Sequence, residues 1–159
     1  MEVLQVSQGD KREKYETLIP QIAALVQDEA DTIANMANVA ASLRDTFGFW
    51  WVGFYRVVGD ELVLGPFQGP LACTRIARGR GVCGTAWAEA RTVVVPDVEK
   101  FAGHIACSSA SRSEIVVHLF DGERVTAVLD IDSAALNTFD DTDAHYLAQV
   151  AVMVSGGNS

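Results

Sequence analysis

Cys73, Cys83 and Cys107 are the sequence's three cysteines, and all lie in its glycine-rich middle stretch. An odd, small set of thiols without a C-x-x-C knuckle is not a disulfide scaffold. In a reducing compartment any bond among them is transient and catalytic rather than structural. A thiolate is a nucleophile, and its sulfur can climb to a sulfenic acid and return through a disulfide. A single free cysteine is usually a small buried hydrophobe. Three in one loop region, the last of them seven residues before Glu114, favour redox chemistry. Zinc is the alternative: His104-x-x-Cys107 is a legal ligand pair that Cys73 and Cys83 could complete. The ten-residue gap between those two is not a usual knuckle spacing.

Three carboxylates follow. Glu114–Phe120 and Val125–Asp132 read as strands joined by Asp121-Gly122-Glu123-Arg124, a hairpin signal. Ile115, Val117 and Leu119 share one face with Val125, Ala127, Leu129 and Ile131, since a one-residue slip would expose them all. Glu114, Asp130 and Asp132 then share the other face. A three-residue loop places Glu114 opposite Asp130, with Asp132 diagonal to it. Opposed residues stand about 5 Å apart and diagonal ones about 7–8 Å. Like charges so placed call for a cation, a shared proton or solvent. The site therefore suits an ammonium group, a metal or a protonated acid. Trp50 and Trp51, on successive positions, point to opposite faces, so one of them can line a pocket.

The elements that position these residues are legible. Ile33, Met36, Ala40, Leu43 and Phe47 form a helical stripe, with Asp31 or an acidic neighbour to cap its start and Gly48 at its end. An earlier helix holds Tyr15, Leu18, Ile22, Leu25 and Val26, with Pro20 inside it. Phe49–Val57 is an aromatic strand, and Gly59-Asp60 turns the chain into Glu61–Leu64. Thr92–Val95 is a further strand, and a helical turn is expected near Val82–Ala88. Asp140, Asp141 and Asp143 open a last helix with Ala144, Leu147, Val150 and Val154 inward. The order gives an α+β domain with helices packed on one face of an antiparallel sheet. No linker or repeat divides residues 1–159. The GRGVCG glycines imitate a phosphate-binding loop only loosely.

Composition narrows the function classes. The chain has 159 residues, enough for one core. Its 12 basic and 21 acidic residues leave a net charge of −9, which opposes nucleic-acid and anionic membrane partners. No apolar run approaches the roughly 20 residues of a membrane span, and Met1–Lys14 lacks a signal peptide's apolar core. The expectation is a cytoplasmic protein.

The stretches GPFQGPLACTRIARGRGVCGTAW, VPDVEKFAGHIACSSASRSEIVV and VLDIDS resemble the free methionine-(R)-sulfoxide reductases, a family built on a GAF-type domain. The cysteine spacings of ten and then twenty-four residues are the family's. Gly69-Pro70, where the family often has a lysine, is a minor departure. The resemblance implies a single GAF-like domain over 1–159, with an antiparallel sheet of about six strands. It implies that Cys107 is the catalytic cysteine and that Cys73 and Cys83 recycle it. Glu114, Asp130 and Asp132 match the substrate-pocket carboxylates, and Trp51 matches a tryptophan that holds the substrate methyl group. It further implies thioredoxin as reductant, a homodimer, and no metal or organic cofactor. The competing expectation is a GAF-type sensor of small ligands or oxidants.

Overall fold

The computed structural model describes residues 3–104 and 110–156; Cys107 lies outside them. The helix α1 (Lys11–Val26) starts where the Asp10 side chain accepts from the Glu13 N–H, and it runs through Pro20. The next helix, α2 (Thr32–Phe47), is capped by Asp31 and closed by Gly48, whose φ of 69° is a left-handed conformation open to glycine. Met36, Val39, Ala40 and Leu43 face inward. Ile33, in the first turn, is instead 45% exposed.

Six strands follow: β1 (Trp51–Val58), β2 (Glu61–Gln68), β3 (Arg75–Ala77), β4 (Val93–Val95), β5 (Ser113–Phe120) and β6 (Val125–Ser133). They form one sheet in the order β3-β2-β1-β6-β5-β4, and every neighbouring pair is antiparallel. A short helix, α3 (Gly81–Glu89), lies between β3 and β4, and α4 (Asp141–Ser155) follows β6. Both edge strands are three residues long; beyond its pairing with β3, β2 carries Pro66, and β4 runs directly into Pro96.

The sheet separates two apolar cores. On one face, Tyr15, Leu18 and Ile22 of α1, the inner residues of α2, and Leu147 and Val150 of α4 pack on Val52, Phe54, Ile115, Val117, Leu129 and Ile131. The expected odd-numbered set thus faces the long helices except for Val125, which lies beyond a register shift and packs in the opposite core. On the other face, Val82, Cys83, Ala86 and Trp87 of α3 pack with Trp51, Tyr55, Val116 and Val128. The three long helices occupy the single face expected of them, and α3 roofs the opposite one.

A polar pin joins α1 to α4 on the helical face. Asp143 is 1% exposed. It accepts from the Tyr15 hydroxyl and from Lys11 Nζ, each at 2.6 Å. Asp140 and Asp143 complete a capping box at the start of α4. Lys11 also reaches the Thr138 carbonyl at 3.0 Å, so every strong acceptor in the pin is used.

Candidate active site

The site is built on the sheet face under α3. Register places Trp51, Asp132 and Glu114 in one row across β1, β6 and β5. The next row down holds Gly53, Asp130 and Val116. Glu114 is therefore opposite Asp132 and diagonal to Asp130, the reverse of the expected partners. The cause is local. Residues 121–124 form the connection, and a register shift between Leu119 and Phe120 makes Phe120 face Val125 while Leu119 faces Ala127. A four-residue turn alone would flip the faces; the shift restores parity and moves the partners by two. The three carboxylates stay together on one face.

Gly53 leaves the space that this arrangement needs. A Cβ there would stand 2.3 Å from Phe67 Cβ and 2.7 Å from Trp51 Cη2. The Trp51 ring lies in that space and stacks on Phe67, with ring centroids 5.3 Å apart. Gly69, at φ 137°, passes equally close: a Cβ would meet Trp51 Cδ1 at 2.7 Å. Trp51 is 3% exposed and, as expected, lines the pocket.

The GRGVCG glycines serve geometry rather than phosphate. Gly79 and Gly81 have φ of 80° and 62°. Gly84 packs against the backbone of the preceding turn, where a Cβ would meet the Ala77 carbonyl at 2.7 Å. This turn sets the first residues of α3 over the carboxylates. Arg80, Gly81, Val82 and Cys83 line the pocket together with Glu114, Asp130 and Asp132.

Cys83 Sγ and one oxygen each of Glu114 and Asp130 lie within 4.8 Å of one another, all buried. One thiol and two carboxylates can hold a divalent ion, but this set differs from the zinc quartet weighed above: among the described residues neither Cys73 nor His104 belongs to it. Protonation relieves the same crowding. Burial raises the Glu114 carboxyl well above its ordinary value, and the charges of Asp130 and Asp132 add to the rise. Burial, then the Asp130 charge, raises Asp132 in the same way. Burial also raises Asp130, but hydrogen bonding from Glu114, Cys83 and Asp132 opposes that rise. Asp130 is thus the acceptor of the group and Glu114 its proton donor; among the described residues Asp130 Oδ1 has no hydrogen-bond partner. None of the ion pairs among the described residues reaches the cluster.

The two described cysteines differ. Cys83 is a free buried thiol. Burial and then the neighbouring carboxylates push its pKa well up, so it stays a thiol at neutral pH. Cys73 is disulfide-bonded.

Ser111 and Tyr55, which no motif above singles out, and His104, weighed above only as a zinc ligand, adjoin this cluster. Ser111 donates to Asp132 Oδ1 at 3.0 Å. His104 lines the pocket, and burial lowers its pKa, so the ring is neutral at physiological pH. Tyr55 continues the Trp51 side of β1 and turns its hydroxyl to the Cys73 carbonyl at 2.8 Å. Parity with Trp51 is the signal that could have found Tyr55. Nothing in pattern or spacing marks Ser111, and spacing marks His104 only as a partner of Cys107 for zinc.

A GAF-domain profile matches residues 28–156. GAF domain-containing protein A of Dictyostelium discoideum is 58% identical over 150 residues, covering 94% of this chain and 95% of that one. The free methionine-R-sulfoxide reductase of Escherichia coli K12 is 44% identical over 146 residues, covering 91% and 88%. The crystal structure of the Neisseria meningitidis free methionine-R-sulfoxide reductase in complex with its substrate superposes with a TM-score of 0.96 at 56% identity, covering 99% of this chain and 95% of that one. No described helix is long and apolar enough to cross a membrane. By fold, profile and relatives, this chain belongs to the free methionine-R-sulfoxide reductase family of GAF domains.

Proposed function

We propose that the protein reduces free L-methionine (R)-S-oxide to L-methionine, through residues 1–159 acting as one GAF-type domain. The observation that carries this reading is the buried trio Glu114, Asp130 and Asp132, which pairs a proton donor with an acceptor beside Trp51. The sulfoxide needs both. Its sulfur is electrophilic, and its oxygen must be protonated for the sulfur–oxygen bond to break. Glu114, whose proton burial retains, is the general acid of this scheme. Asp130, with an unpartnered oxygen, and Asp132 take the substrate ammonium. A peptide-bound residue has no such charge to offer, which accounts for a free amino acid. Arg80 and the first turn of α3 line the same pocket and suit the substrate carboxylate. Trp51 holds the methyl group.

In this mechanism the Cys107 thiolate attacks the sulfoxide sulfur, the oxygen transfers to Cys107 as a sulfenic acid, and methionine leaves. A second thiol then attacks the sulfenic sulfur and expels water. Cys73 suits this step first: it is engaged in a disulfide, whereas Cys83 is a buried thiol with a raised pKa. The resulting Cys73–Cys107 bond is reduced by thioredoxin, whose potential of about −270 mV is sufficient. The net reaction spends two thiols per sulfoxide and yields one water, with no bound metal or cofactor. A cytoplasmic homodimer fits this reading.

The test is methionine release from the R and S epimers of free methionine sulfoxide, with dithiothreitol and then thioredoxin as reductant. Methionine from the R epimer alone is expected. No methionine from either epimer, with thiols shown to be reduced, would return the chain to the sensor reading.

A further inference from the structure

We infer that Tyr55 is a positioning residue for the recycling half of the reaction, a role that rests on the reductase reading above. Cys73 sits in the connection between β2 and β3, a loop with no regular structure of its own. Such a segment must be held if its sulfur is to meet a sulfenic acid in the right direction, because proximity and orientation dominate intramolecular reactions. Two side chains of β1 hold it. Trp51 Nε1 donates to the Pro70 carbonyl at 3.0 Å, and the Tyr55 hydroxyl donates to the Cys73 carbonyl at 2.8 Å. The rings belong to one stack, with centroids 6.0 Å apart. Between them Gly53 supplies no side chain.

The Tyr55 bond falls on the backbone of the recycling cysteine itself. Tyr55 is 2% exposed, so water does not compete for its hydroxyl. Burial, reinforced by the charges of Asp130, Cys83, Asp132 and Glu114, keeps the phenol protonated and therefore a donor. The hydroxyl proton is committed to the loop, so Tyr55 fixes where Cys73 stands without taking part in the first chemical step. Cys83 lies on α3 and does not depend on this tie, so loss of the tie should divert the sulfenic acid from one thiol to the other.

Tyr55→Phe tests this, because it removes the donor and keeps the ring. Reduced protein is mixed with one equivalent of free methionine-(R)-sulfoxide and no reductant. Samples are quenched over time, and methionine, dimedone-trapped sulfenic acid and each disulfide are quantified by mass spectrometry. The first methionine should form within about twofold of the wild-type rate. The Cys73–Cys107 disulfide should form about fivefold to tenfold more slowly, the cost of one lost hydrogen bond. Trapped sulfenic acid and the Cys83–Cys107 bond should rise correspondingly. In a Cys73→Ser background, Tyr55→Phe should change none of these quantities. A wild-type rate of Cys73–Cys107 formation would overturn the inference, as would equal slowing of methionine release and disulfide formation. Absence of methionine from the wild-type protein would instead overturn the reductase reading, and this role with it.

Discussion

Replacing Glu114 by glutamine should make the protein more stable and less active. Glu114 is 6% exposed and faces Asp132 across the ladder, with Asp130 diagonal. Its carboxyl is raised above the ordinary range by burial and then by those two charges. The unfolded chain releases this proton near pH 4.3, whereas the folded chain keeps it. The folded state binds the extra proton, so stability is full below that pH and declines as pH rises toward the folded-state pKa. While the proton is retained, the slope is about −1.4 kcal/mol per pH unit. Glutamine has no proton to lose and no charge to repel Asp130, so its curve lacks this term. Between pH 5 and pH 6 the gap in favour of Glu114→Gln should widen by about 1.4 kcal/mol. Urea unfolding at half-unit pH steps measures it. Loss of the general acid should lower kcat by about 10²–10⁴. Parallel stability curves, or a variant less stable throughout, would refute the argument that a retained proton relieves the cluster.

Four further expectations follow from the geometry. Cys107→Ser should abolish turnover, and full multiple turnover in that variant would remove the basis of the mechanism. Cys73→Ser should release one methionine per chain at the normal rate and then recycle slowly through Cys83, as read by a burst assay without and with thioredoxin. Gly53→Ala should cost about 1–3 kcal/mol, because the added Cβ overlaps Phe67 and the Trp51 ring; it should also raise KM as Trp51 moves. Lys11→Met strips a buried carboxylate of its 2.6 Å cation. With the Lys11 side chain 33% exposed, the loss belongs near the lower end of a broken buried pair, about 3 kcal/mol, measured by urea unfolding with kcat unchanged.

The fold and the cluster were legible because both rest on parity. Alternation along Glu114–Phe120 and Val125–Asp132 assigns each side chain to a face, and burial of the apolar set enforces it. The partners within the face were not legible. They depend on a register shift at Leu119 and Phe120, which no residue type announces and which displaces partners while leaving the three carboxylates on one face. Pro20 illustrates a different limit, since a helix it was expected to weaken continues through it on an exposed side. The Lys11–Asp143–Tyr15 pin was invisible for a third reason: its partners are 132 and 128 residues apart. Asp143 reads in the sequence as a residue of a helix start, and only packing shows that it is also a buried anion. The cysteines were found by spacing, but the contrast between Cys83 and Cys73 comes from the burial of one and the disulfide of the other.

The outer strands of the sheet bear on how the protein behaves at high concentration. A sheet grows by adding a chain to an exposed edge, and growth of that kind leads to fibrils. Here one edge presents three residues of β3 and then, along β2, a proline without an N–H; the other presents Val93–Val95, an apolar template cut short by Pro96. Neither three-residue edge strand offers the run of donors that a cross-β register requires. Association of copies is thereby steered away from strand addition and toward side-chain surfaces, and the valine-rich border is kept too short to seed a filament.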